Sequence, residues 1–559
     1  ETHHMNGSGV LRYSFNESMQ ANGDATISWD PMLETYLDWQ KLNRKIKIVG
    51  DRKFIEFKYQ LQRPIEGGMS IGMNHMLVDK ATSNGSKDFY TWTGNEFIET
   101  TYGRLGTVII LDTKTTIALL TGQLKWAKDR NQFPEQIILS RKDQPSWWVK
   151  AKVDANGAFS TMLPEGNYEV LLADALIKKP GGYFRVKLDA RSSDIALNSA
   201  DTTKMEVGIS EIPFPNLLPE YGILQDGFSE ADIPQIDEFV ETYQRYYDIP
   251  GISLTIMHAG EIVYSQNYGV INYYTQVPVD SNTIFEGASM TKLMFAFAVL
   301  RLVEKSIIDL DKPLYKYTPP PTDIQDNPWH KLITGRMVLS HTTGLPNWAD
   351  DMPDGKLVIQ FKPGTQHSYS GAAFSYLTRA VEAITGDEIT NILEDELVEV
   401  LDLDDMYFKN SPGLEDITAF GHVFNRPRWQ DIPEFAEMAS SVHTNSKAYA
   451  KFLLALSRRQ GLRPETYEAM IHRSTFKNEH LEQGIMCKHY FGLGPNLRDS
   501  PFFGLSFGHS GSNGDFRCTS TIYEDTQNGF VVMTNASTGN MLQFHLHNLL
   551  NIGTQQVDP

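Results

Sequence analysis

Ser289 and Lys292, in Phe285-Glu286-Gly287-Ala288-Ser289-Met290-Thr291-Lys292, open the strongly apolar run Leu293-Met294-Phe295-Ala296-Phe297-Ala298-Val299-Leu300. Arg301 breaks the run well short of the roughly 18 apolar residues a membrane span needs, so it reads as a helix buried in a core. Residues three apart share a helix face, which lets the serine hydroxyl and the lysine ammonium meet. A serine becomes a nucleophile only when a nearby base takes its proton. Lysine becomes such a base when its pKa falls, and both burial and the positive end of a helix push it that way. S-x-x-K is common by chance, so its weight rests on what lies downstream.

Two motifs follow in order. Tyr369 lies 80 residues on, in Pro363-Gly364-Thr365-Gln366-His367-Ser368-Tyr369-Ser370-Gly371, and His509 another 140 residues on, in Gly508-His509-Ser510-Gly511-Ser512-Asn513-Gly514. With these, roughly residues 222–550 resemble the serine β-lactamase and penicillin-binding protein family, particularly class C β-lactamases and their esterase and D-amino-acid peptidase relatives. The phrases Leu339-Ser340-His341-Thr342-Thr343-Gly344-Leu345-Pro346 and Ala380-Val381-Glu382-Ala383-Ile384-Thr385-Gly386, the latter closing a helix, are also similar to the family.

The resemblance implies an α/β fold in which an antiparallel sheet is flanked by helices, with a mostly helical lobe beside it and the site between them. It implies acyl transfer through a covalent ester on Ser289, with Lys292 and Tyr369 handling the proton and either one as the base. Nearby Lys292 is expected to favour the phenolate and lower the pKa of Tyr369. The oxyanion hole would use the backbone N–H groups of Ser289 and Ser512. His509, Ser510 and Gly511 would line the substrate strand, Gly511 letting it approach the acyl group.

Two positions depart from the family pattern. Gly371 stands where an Asn often bonds the amide of the substrate's side chain. His509 stands where lactamases and transpeptidases usually carry Lys, and a histidine is mostly neutral at pH 7, hence a poorer carboxylate anchor. Ester or D-amino-acid peptide hydrolysis therefore ranks above β-lactam hydrolysis. A penicillin-binding receptor or β-lactamase, and a non-catalytic scaffold, remain as alternatives. Asp515 and Arg517 read as lying on the His509 strand and facing the same way as Gly511, either as a salt bridge or as contacts to a charged substrate terminus.

At 559 residues the chain exceeds one ordinary domain. Residues 1–106 read as a β-rich module, from the alternation in Lys45-Ile46-Lys47-Ile48-Val49 and Phe54-Ile55-Glu56-Phe57-Lys58-Tyr59. Residues 107–215 read as a β-sandwich-like module, with a hairpin turning at Asn156-Gly157. Its phrase Leu163-Pro164-Glu165-Gly166-Asn167-Tyr168-Glu169-Val170 is similar to sandwich modules related to carboxypeptidase regulatory domains. The proline-rich stretch from Ile212 to Pro219 reads as a linker, and 220–559 as the hydrolase domain. That domain should open with a helix over Phe239–Tyr247 and a hairpin around Ala259-Gly260.

The net charge of −19 argues against a nucleic-acid partner, which needs clustered Lys and Arg. The expected partner is a small-molecule or peptide substrate, and no oligomeric state can be read. No apolar run is long enough for an integral membrane segment. No Walker loop, dinucleotide fingerprint or zinc spacing is present, so neither a cofactor nor a metal is implied. Gly504-Leu505-Ser506-Phe507-Gly508 matches a nucleophile elbow, but the glycines at 508, 511 and 514 deny it the helix such an elbow requires. Cys487 and Cys518 make either one bridge or two buried thiols. The exported members of the family set the expectation of an exported protein.

Overall fold

The computed structural model describes residues 227–550 with short gaps, most of 117–212, and eight strands ahead of them. The stretch 213–222, which holds most of the expected linker, lies outside the described residues apart from Pro215. The chain divides into two compact units, Glu1–Phe214 with Arg426–Trp429, and Pro215–Asn425 with Gln430–Pro559.

In the first unit, the alternating segments near residue 50 form strands Asn43–Val49 and Arg52–Lys58, paired antiparallel. A strand over Gly106–Ile110 pairs with Met69–Met73. Nine strands follow: β1 (Ile117–Trp126), β2 (Gln136–Arg141), β3 (Trp148–Lys152), β4 (Ala158–Pro164), β5 (Gly166–Leu172), β6 (Leu176–Lys179), β7 (Gly182–Leu188), β8 (Asp194–Leu197) and β9 (Thr202–Ile212). They form a four-stranded sheet, β3-β2-β5-β8, and a five-stranded sheet, β4-β1-β9-β7-β6. Leu139, Tyr168 and Val170 from the first sheet and Leu120, Phe159 and Val207 from the second share one buried cluster.

The turn at Asn156-Gly157 is present, with Gly157 left-handed and donating to Asp154 O at 2.9 Å. The expected hairpin is not. Its arms pair only at Val153 and Phe159, and β3 and β4 then diverge into different sheets. Strand-turn-strand sequence is the same for a hairpin and for a corner between sheets. Which one forms depends on the partners waiting on either side.

The second unit opens with α1 (Ile233–Tyr247) and the expected hairpin, β10 (Gly251–His258) and β11 (Glu261–Gly269), turning through left-handed Ala259 and Gly260. Next come β12 (Phe285–Ala288), α2 (Thr291–Glu304), α3 (Gly371–Thr385), β13 (Val442–Thr444) and α4 (Ser446–Ser457). The chain then runs through β14 (Thr475–Glu482), β15 (Ile485–Phe491), β16 (Asn496–Ser500), β17 (Gly504–Gly508), β18 (Ser510–Ser512), β19 (Arg517–Tyr523) and β20 (Gly529–Thr534), ending in α5 (Asn540–Leu550). A nine-stranded antiparallel sheet has the order β11-β10-β20-β19-β17-β16-β15-β14, with β18 paired to β19.

The short helical turns between residues 314 and 417, with α2 and α3, make the helical region beside this sheet. Helix α2 is apolar on every side, so it packs inside the core rather than on its surface. Cys487 and Cys518 are buried and free. Among the described residues no helix is long and apolar enough to cross a membrane.

Candidate active site

Ser289 sits at the junction of β12 and α2. Ala288, in the left-handed region at φ 46°, turns the chain out of the strand, a conformation that costs a non-glycine residue about 1–2 kcal/mol. The Thr291 hydroxyl fastens the turn, donating to Ala288 O at 2.6 Å and accepting from Val442 N–H at 2.8 Å. One turn on from Ser289, Lys292 is fully buried, its Nζ 3.1 Å from Ser289 Oγ and donating to Ala439 O at 2.7 Å. Burial lowers its pKa to about 7, against the pull of the Glu437 carboxylate. A lysine half neutral at physiological pH can accept a proton.

Tyr369 lies one residue before the N-cap of α3. Ser370 holds it there: its Oγ accepts from Ala373 N–H and donates to Pro346 O, and its own N–H donates to His341 Nδ1. The Tyr369 ring stacks on His341 at 4.4 Å, and Lys292 Nζ lies 4.9 Å from the ring centroid. The phenol pKa is raised, burial being the cause, where the sequence set the opposite expectation. Burial disfavours the phenolate more than its neighbours favour it. The proton arrangement at rest is thus a neutral phenol beside a lysine able to lose its proton.

His509 links β17 to β18. Its Nδ1 is 2.7 Å from Ser510 O, and a carbonyl only accepts, so Nδ1 carries the proton. Burial and the Lys292 charge push its pKa down to about 3. The buried Nε2 therefore offers a lone pair, and it has no hydrogen-bond partner. Gly511 is a requirement of packing, since a Cβ there would lie 2.0 Å from Gly287 O. Its absence lets β18 close onto β12.

These residues border a cavity of about 230 Å³, lined by Ser289, Tyr369, His509, Ser510, Gly511 and Ser512. Asn347, Lys477, Phe491 and Asn496 complete the lining, and no motif in the sequence marked any of them. Gly371 does not line it; the Trp348 indole and Asn347 Oδ1 occupy the space beside its missing side chain. Asn347 Oδ1 accepts from Gly371 N–H at 2.9 Å, so a carboxamide reaches the cavity from a different segment.

Asp515 and Arg517 stand apart from the cavity lining. The single strand expected to carry them with His509 is broken: β18 ends at Ser512, Gly514 is left-handed, and β19 starts at Arg517. Asp515 is buried against Gly421, and its charge acts on the Arg517 guanidinium. Ser506, in the rejected elbow, is buried in the middle of β17 with β18 following. Among the described residues no cluster of His, Cys, Asp and Glu has the geometry to hold a metal.

The profile of the family described as Beta-lactamase matches residues 236–551. Protein flp of Staphylococcus aureus strain MW2 is 23% identical over 264 residues, which cover 43% of this chain and 51% of that protein. The chain thus spans about half the length of that relative. An uncharacterized protein of Alkalihalophilus pseudofirmus is 29% identical over 156 residues, 28% of this chain and 44% of that one. Among solved structures, the octameric penicillin-binding protein homologue from Pyrococcus abyssi superposes with a TM-score of 0.51 at 21% identity, covering 58% of this chain and 78% of that one. That likeness is one of fold. With a family match over more than half of its length, on the part that carries Ser289, Lys292, Tyr369 and His509, this chain belongs to the β-lactamase family.

Proposed function

We propose that the protein is a serine hydrolase that cleaves esters or D-amino-acid amides through a covalent acyl-enzyme on Ser289. The observation that carries this reading is Lys292 Nζ, buried, 3.1 Å from Ser289 Oγ and with a pKa near 7. Neutral Lys292 takes the Ser289 proton as Oγ attacks the substrate carbonyl. The backbone N–H groups of Ser289 and Ser512 would receive the oxyanion. The C–O or C–N bond to the leaving group then breaks. The leaving group departs with a proton passed from Lys292 through the Tyr369 phenol. Water, deprotonated along the same path, attacks the acyl carbon and releases the acid and Ser289.

Esters and D-peptides rank above β-lactams because His509 presents a lone pair, not a cation, beside the substrate strand. Ser289→Ala is expected to abolish turnover of short-chain p-nitrophenyl esters and D-aminoacyl anilides while leaving the fold intact. Labelling by a fluorophosphonate, read by mass spectrometry, should be lost with it. An undiminished rate in that variant would refute the mechanism. Stable acylation of the wild type without turnover would make the protein a receptor, and efficient nitrocefin cleavage with little ester or anilide cleavage would make it a lactamase.

A further inference from the structure

Lys477 is the one lysine on the cavity wall, and it comes from β14, a strand none of the motifs touches. The pairing of β14 with β15 slips between Phe476, opposite Tyr490, and Asn478, opposite His489, so Lys477 is the extra residue of a β-bulge. A bulge bends its strand and re-aims a side chain, and bulges are frequent beside active sites. Here the bulged side chain joins Phe491, from the partner strand, in lining the cavity, its Nζ 5.5 Å from the Phe491 ring centroid. Lys477 is an exposed residue, and no described carboxylate lies within ion-pair distance of it, unlike Arg473, which pairs with Asp499 at 2.7 Å. A solvated cation on the cavity wall, with no described ion-pair partner, is free to meet an anion that enters from solution.

Burial depresses the pKa of His341, His367 and His509, the imidazoles gathered around Tyr369, and the Lys477 charge adds a smaller push in the same direction. That charge therefore acts on the side of the cavity where Tyr369 would return a proton to the leaving group. His509, protonated at Nδ1 and presenting Nε2 as a lone pair, cannot hold a carboxylate there.

We infer that Lys477 is a specificity-determining residue of this site: its ammonium, carried in by the bulge of β14, binds a carboxylate on the leaving group of the substrate. This inference rests on the hydrolase reading above, and its test separates the two.

Two acetate esters differing only in the leaving group, 4-acetoxybenzoate and the neutral 4-acetoxybenzamide, are compared on the full-length protein. The wild type should prefer the anionic ester, and added salt should erode that preference. In Lys477→Gln the ratio of the two kcat/KM values should fall about tenfold, the size expected for losing a charge-assisted contact, while Lys477→Arg should keep most of it. Labelling of Ser289 by a fluorophosphonate reports whether each variant is folded. If the wild type cleaves the neutral ester and is labelled, but the ratio is the same in Lys477→Gln, the role of Lys477 is refuted and the hydrolase reading stands. If the wild type is neither labelled nor active on either ester, both fall together.

Discussion

At the scale of single residues, the site is a set of ionisable groups whose charged forms burial disfavours. Lys292 and Glu437 show this from opposite sides: burial pulls the lysine pKa down and pushes the carboxyl pKa up, while each partner's charge resists the change. Glu437 is held by Ser375 Oγ at 2.9 Å and by Ala439 N–H at 3.1 Å, and Ala439 O in turn receives Lys292. If neutral Lys292 is the base, kcat/KM should climb about tenfold per pH unit below pH 7 and level off above it, following the lysine's depressed pKa. Glu437→Gln removes a charge that favours the cation, so the Lys292 pKa should fall further and the acid limb should move to lower pH. A pH–rate profile of both proteins checks this; an unmoved limb would mean Glu437 does not tune the base. Tyr369 sets no limb in this range, because its phenol is shifted upward.

At the scale of elements, the site depends on two close approaches. The β12–α2 junction places Ser289, and β18 must lie against β12 for Ser512 to reach the same cavity. Gly511 permits the second approach, and the atom a side chain would meet is the Gly287 backbone oxygen, which has no rotamer to escape into. Gly511→Ala is expected to cost about 1–3 kcal/mol through overpacking and, by moving β18, to lower kcat/KM by about 100-fold. Denaturation midpoints and ester kinetics measure the two effects. A variant with full activity and unchanged stability would show that β18 has slack. The same local logic explains the misplacement of Asp515 and Arg517. Strand alternation holds only while a strand continues, and left-handed Gly514 ends it before either residue is reached.

At the scale of the whole molecule, each unit has its own hydrophobic cluster among the described residues. Every residue lining the cavity belongs to the second unit. Leu139, fully buried in the sandwich cluster, provides a probe of that division. Leu139→Ala should destabilise the first unit by about 2–5 kcal/mol in chemical denaturation. It should leave the rate of Ser289 phosphonylation as in the wild type. A slowed phosphonylation at equal native population would instead tie the sandwich to the site.

Ser289 and Lys292 were legible as a pair from their three-residue helical spacing, and Tyr369 and His509 from the motifs that carry the family resemblance. The opening hairpin and the buried helix α2 were legible because hydrophobic period and turn residues are local properties, whereas the antiparallel sheet was expected from the family resemblance. What stayed hidden came from elements far apart in sequence. Asn347, Glu437, Lys477 and Phe491 reach the site or its lysine only through the folding of loops and strands that carry no motif. The raised Tyr369 pKa needed burial to decide it, and the tautomer of His509 needed the Ser510 carbonyl beside its Nδ1. The turn at Gly157 was equally visible, yet whether it closed a hairpin or bridged two sheets depended on β1 and β2 competing for its arms. Sequence determines which side chains can do the chemistry; the tertiary structure decides which of them meet, and with which charge, because desolvation and partner choice exist only in the packed chain.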